Sequence, residues 1–272
     1  MQIILDAFHY GFFQRSLIVG VILAIVYALL GNFVVLRKEA IIGHTMANMV
    51  FFGVTLGLLL SISISFSSII AAVLGVLFID YLQRKSRFSQ DSILALTSQI
   101  TMAAAIIILS QLQGYQNIEG FLFGNILATS ETDLWLSVAI LVINLIVLKI
   151  IYKPLTQTVI NHDLAISSGT NVRKINSIFM FLLALTVAAG IKIIGVILLA
   201  AFLVIPANTA KNIASNFRQM IVLSLVISFI GVILGLFFSY ALDTPSGAMI
   251  IMVLGFILIL STVANQLRGA KK

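Results

Sequence analysis

The 272 residues are 61% hydrophobic and 9% charged, where a soluble globular domain carries about a quarter charged residues, so a water-soluble fold is excluded. The formal net charge of +7 does not argue for nucleic acid, because Lys and Arg fall in short stretches between apolar runs and not on one soluble face. Cysteine is absent, which leaves His, carboxylate, amide or backbone oxygen as the only groups able to hold a metal.

Met1–Gln14 carries Asp6 and His9 and lacks a basic start followed by a small-residue cleavage site. No cleavable signal is evident, and the first spanning helix is expected to stay in the mature protein. Apolar length predicts spans at 12–36, 40–61, 64–82, 92–112, 135–152, 175–190, 193–210, 220–241 and 246–266. Several of these lack any charge over about the 20 residues that a helix needs to cross the hydrocarbon core. That makes nine spans, or eight if 175–210 is one long helix, since only Gly190, Lys192 and Gly195 punctuate it and Pro206 interrupts its end. The expected fold is all-α, a polytopic transmembrane helical bundle in the cell membrane, with residues 1–272 forming one membrane domain surrounded by lipid.

Basic residues set the expected orientation. Arg37 and Lys38, then Arg84, Lys85 and Arg87, Lys149, Lys153, Arg173 and Lys174, Lys211 and Arg218, and finally Arg268, Lys271 and Lys272 all fall on one side when nine spans are counted. That side is expected to be cytoplasmic, with the N-terminus outside. The other side keeps Arg15 and Lys192 and carries Glu119, Glu131, Asp133 and Asp243.

In the second span, His44 and Asn48 are four residues apart and share a helical face. Polar groups at membrane depth mark either a pathway or an interhelical hydrogen bond, and both readings stand. Gly53-x-x-x-Gly57 and Gly231-x-x-x-Gly235 allow close helix approach, as packing or as dimerisation. Asp243-Thr244-Pro245-Ser246-Gly247 reads as a turn between the last two spans.

The ordered set Gly31–Lys38, Gly43–Asn48 with Gly53-Val54, Phe121–Ala128, Asp163-Leu164-Ala165 with Gly169, Gly195–Leu199, Leu203–Ala210 and Asp243–Ala248 resembles the metal-ion permeases of the ABC-3 family, the zinc and manganese importers. The resemblance covers nearly the whole chain. It implies the permease architecture of an ABC importer, with two permease copies, two cytoplasmic ATPase subunits and an extracytoplasmic metal-binding lipoprotein. It also implies a divalent metal ion (zinc, manganese or iron) as transported cargo, and no cofactor bound by the chain itself. The chain has no phosphate-binding Gly-x-x-x-x-Gly-Lys-Ser/Thr loop, so it is expected not to be an enzyme, ATP hydrolysis residing in a partner.

Two motifs depart from the family's pattern. Where its second span reads Gly-Asp-x-x-x-His at the ion pathway, this chain has His44 and Asn48, and where it reads Phe-Gly-Asp this chain has Asn125. His44, Asn48 and Asn125 are the candidate metal residues, and His44 and Asn48 together make a neutral, weaker site. The segment Tyr152–Lys174, with Asp163, Leu164 and Ala165 at its core, is the candidate contact with the ATPase. Its other reading is a solvated loop in which Asp163 caps a short helix.

Three competing readings remain. A permease for a chelated cargo such as haem, siderophore or corrinoid belongs to chains that tend to be longer. An intramembrane enzyme needs a catalytic constellation that His9, His44, His162 and Asp80 do not form. A secondary transporter normally shows inverted repeats and charged mid-span residues.

Overall fold

The computed structural model describes residues 11–112, 118–124, 126–160 and 162–269, without side chains at 118–119, 121, 162–164 and 268–269. Among these residues there are helices and no strands. In chain order they are α1 (Gly11–Leu36), α2 (Ala40–Leu59), α3 (Ile64–Lys85), α4 (Gln90–Gln111), α5 (Ile118–Phe123), a 3₁₀ turn (Ile126–Ala128), α6 (Glu131–Ile160), α7 (His162–Ser167), α8 (Val172–Ile194), α9 (Val196–Ile213), α10 (Phe217–Leu242) and α11 (Ser246–Gly269). Nine of them are long and apolar enough to cross a membrane, and they coincide with the nine predicted spans. Full hydrogen bonding within each helix is what makes a lipid-exposed backbone tolerable.

The count of nine turns on Gly195, which takes φ 78° between α8 and α9 and breaks the long apolar stretch into two helices. Glycine adopts that left-handed conformation without the steric cost that a Cβ would bring. Pro206, by contrast, lies inside a continuous α9. The largest departure from the sequence reading lies in 152–174, expected to be a cytoplasmic insert. Here α6 runs on through Pro154 to Ile160 and α7 follows at once, so most of the insert is helical. At 30 residues, α6 is about 45 Å long and outreaches a hydrocarbon core of about 30 Å.

The chain forms two compact units. One comprises residues up to Val35, Glu119–Leu141 and Lys192 onward. Its core stacks Tyr27 of α1 on Phe202 of α9 with ring centroids 6.5 Å apart, and sets Phe33 against Phe217 at 5.5 Å. Asn32, fully buried, donates to Ser224 Oγ at 2.7 Å and to the Ala28 carbonyl. A Cβ added at Gly231 or Gly235 would strike Leu254 or Ile250, so this small-residue pair serves the packing of α10 on α11. Asp243 ends α10 in the left-handed region, Ser239 Oγ donates to the Thr244 carbonyl at 2.6 Å, and α11 begins at Ser246, as the turn reading expects.

Within the same unit the loop after α5 crosses the α8–α9 break. A Cβ on Gly124 would collide with the backbone of Ile194 and Gly195, one on Gly195 with the backbone of 122–124, and one on Gly247 with the Phe123 carbonyl. Two ion pairs lie in this unit as well. Lys192 Nζ meets Asp133 Oδ1 at 3.0 Å, and Arg15 meets Glu131 at 3.7 Å. Both pairs join residues that the charge pattern assigns to one membrane face.

The other unit comprises Leu36–Ile118 and Val142–Ile191. Here α2 packs along both α3 and α4. Gly53 and Gly57 are the seam with α3, where an added Cβ would strike Ala71 and Ser67. Both small-residue pairs thus serve packing within the chain. Against α4, Thr45 Oγ1 donates to the Leu94 carbonyl at 3.0 Å.

Candidate functional site

His44 and Asn48 sit in the second and third turns of α2, about 6 and 12 Å along the helix from its start at Ala40. The four-residue spacing stacks them on one face, as expected, but their surroundings differ. His44 is exposed on the single chain, whereas Asn48 is 2% exposed and lies against α4. Thr45, on the same side of α2, also bonds to α4, through the Leu94 carbonyl.

Asn48 Nδ2 donates to Ser98 Oγ at 2.7 Å and reaches His44 Nε2 at 3.2 Å. The interhelical hydrogen-bonding reading is thus met at Asn48, which bonds across to α4 and along its own helix to His44. With the amide donating, Nε2 is the acceptor and the imidazole proton sits on Nδ1. Asn48 Oδ1 is buried without a hydrogen-bond partner, an expensive condition at this depth. Ser98, 1% exposed, is the member of this cluster that sequence reading missed. A serine eight residues into a polar-flecked helix carries no spacing signal toward α2, and only the register of the two helices brings it there.

No group of three or more His, Asp or Glu able to hold a metal occurs among the described residues. Asn125, the third candidate, lies outside the described residues. Asp163, Leu164 and Ala165 all fall in α7, which starts at His162, so Asp163 is inside the helix and not the residue preceding it. The side chains of Asp163 and Leu164 are outside the description, while Ala165 is buried. Its carbonyl accepts from Thr170 N at 3.0 Å and from Ser168 Oγ at 2.9 Å, which closes the helix before Gly169 at φ 79°. Asn171 then caps α8 by accepting from Lys174 N at 3.1 Å.

Comparison with known proteins bears on what this arrangement serves. The chain is 30% identical over 257 residues to the manganese import system permease protein ScaB of Streptococcus gordonii, covering 94% of this chain and 92% of that protein. To the high-affinity zinc uptake system membrane protein ZnuB of Haemophilus influenzae it is 28% identical over 253 residues, 92% of this chain and 97% of that protein. Among solved structures, PsaBC from Streptococcus pneumoniae in complex with Fab superposes with a TM-score of 0.85 at 28% identity, covering 96% of this chain and 94% of that one. The model of the ABC 3 transport family matches residues 9–265, and this chain, an all-helical multi-pass membrane protein, belongs to that family.

Proposed function

We propose that this transport permease carries a divalent metal ion of the manganese and zinc class. The ion would pass from an extracytoplasmic binding protein through a pathway built by two copies, powered by a separate cytoplasmic ATPase. Relatives described as manganese and zinc systems support the cargo class. The observation that carries the reading is the pairing of exposed His44 with buried Asn48.

As it stands, Asn48 occupies the Nε2 lone pair that a transition-metal ion would need. A half-turn of the amide brings Oδ1 to that place, with the Ser98 hydroxyl switching from acceptor to donor. The turned orientation gives up the amide's bond to Nε2 and moves its donors to the unmet place, so it is adopted only when an arriving cation lies between Oδ1 and Nε2 and tips the balance. Imidazole nitrogen and amide oxygen then face the ion together. A second copy would double this set, four neutral ligands in all. Neutral ligands offset only part of the ion's dehydration, which makes a site that releases as readily as it binds.

Coupling to the ATPase falls to α7, whose buried Ala165 anchors it while Ser168 and Gly169 remain exposed. The test is uptake of radiolabelled manganese and zinc by cells in which His44→Ala replaces the natural chain. Loss of uptake at unchanged protein level supports the reading; unchanged uptake of both ions removes His44 from the pathway.

A further inference from the structure

Where α3 ends and α8 begins, an open groove of about 620 Å³ runs between them, within the range of roughly 300–1,000 Å³ typical of small-molecule sites. Its lining changes character from end to end. Val76 and Leu77 of α3 and Met180 and Phe181 of α8 make one part apolar, while Asp80, Arg84 and Arg173 make the other polar. Arg84 lies about two turns beyond Leu77, and Arg173 about two turns before Met180, so the two antiparallel helices gather their charges at the same end.

The charge there is unbalanced. Arg84 pairs with Asp80 Oδ2, and Arg173 reaches Asp80 Oδ1 at 3.9 Å. One carboxylate thus faces two guanidinium groups, leaving an excess of one positive charge. Both arginine side chains are more than half exposed, at 55% and 59%. Each carries five N–H donors, of which Asp80 can engage only a few. The first turn of α8 also borders the groove, and its dipole adds positive potential at the same end. Lys85, Arg87 and Lys174 adjoin in sequence.

An occupant that fits must be apolar at one end and anionic at the other, and the basic end belongs to the face that the positive-inside bias assigns to the cytoplasm. Free phosphate would leave the apolar half empty, and an uncharged lipid would leave the guanidinium donors unmet. The geometry points to a binding site for one anionic phospholipid of the cytoplasmic leaflet, its phosphate held by Arg84 and Arg173 and an acyl chain along Leu77 and Met180. Bidentate guanidinium recognition of phosphate is the strong, directional contact that such a site uses. Ile166 and Thr170 close the groove beside α7, so the lipid touches the segment that precedes α8. The site is independent of which ion is carried.

The chain's single tryptophan makes a direct test possible. Trp135→Phe removes it, and Leu77→Trp places one at the apolar end, where Leu77 is exposed and tolerant. The full-length protein in micelles is titrated with phosphatidylglycerol or phosphatidylcholine bearing the same brominated acyl chains, which quench indole on contact. Phosphatidylglycerol is expected to quench at about tenfold lower mole fraction, as two basic contacts to an anionic headgroup allow. Arg84→Gln with Arg173→Gln is expected to erase that preference, and Asp80→Asn, which keeps both arginines and adds net positive charge, to strengthen it. Glycerophosphate in matching concentration should leave the quenching in place. Equal quenching by the two lipids, an unchanged preference in the double variant, or displacement by glycerophosphate alone overturns the proposal. Equal quenching together with lost ATPase association in the double variant overturns it in favour of a protein-docking patch. Should the double variant fail to fold, Asp80→Asn decides: a preference that stays the same or falls is the contrary result.

Discussion

Gly124 and Gly195, 71 residues apart in the sequence, meet backbone to backbone with both in the left-handed region, at φ 66° and 78°. Neither has room for a side chain, and each occupies the space that a Cβ on the other would need. This crossing pins the loop after α5 to the break between α8 and α9.

Gly169 provides a control, since it shares the positive φ of 79° but has nothing near its Cβ position. Gly169→Ala should cost only the conformational strain, about 1–2 kcal/mol. Gly195→Ala carries the same strain plus a collision with backbone, so it should sharply reduce folded protein. Thermal unfolding in detergent and recovery by size exclusion measure both; equal losses in the two variants would show that the crossing contributes nothing beyond φ.

For the pathway, His44→Ala removes an exposed ring and should lower manganese and zinc uptake roughly ten- to hundredfold with little effect on stability. Ser98→Ala frees the Asn48 amide from its donor-acceptor partner and should cost only about 0.6 kcal/mol of stability, typical of a hydrogen bond between membrane helices. If the amide orientation governs the ion's access to Nε2, Ser98→Ala changes the ratio of manganese to zinc uptake. An unaltered ratio would confine Ser98 to packing. His44→Asp combined with Asn48→His restores the family's usual carboxylate and should bind the ion more tightly, read as a lower half-saturating concentration.

Asp133 is buried, while the Lys192 side chain is half exposed, and Asp133 also accepts from Ser130 N at 3.0 Å and Ser130 Oγ at 2.6 Å. Loss of Lys192 therefore leaves the carboxylate partly satisfied. A double-mutant cycle of Lys192→Met and Asp133→Asn should give a coupling of about 1 kcal/mol or less by thermal unfolding. A coupling of several kcal/mol would mean that Ser130 contributes little.

Topology is checked in a chain with no natural cysteine. An impermeant thiol reagent applied to intact cells should label Glu131→Cys, whose side chain is 82% exposed, and spare Lys85→Cys. Labelling of the second and not the first would invert the orientation.

If α7 makes the ATPase contact proposed above, deleting Leu164 and Ala165 leaves the protein inserted in the membrane but uncouples transport from ATP hydrolysis. Normal cargo-stimulated hydrolysis in that variant would move the contact to another segment.

The nine spans, the turn at Asp243–Gly247 and the shared face of His44 and Asn48 were legible in the sequence, because each rests on a local rule: apolar length against bilayer thickness, turn chemistry, and the 3.6-residue period. Even the split of 175–210 into two helices was signalled locally by Gly195. Tertiary structure alone decided which groups meet. Ser98 became the partner of Asn48, Lys192 that of Asp133, and Arg173 that of Asp80, through helix registers that no local pattern encodes. It also turned Gly53, Gly57, Gly231 and Gly235 inward, since a small residue specifies close approach but not the surface approached. The helical continuation of α6 through Pro154 escaped the sequence reading for a similar reason. Past the hydrocarbon boundary apolar length no longer reports helix, and a proline reads locally as a breaker, although its surroundings can keep the helix intact.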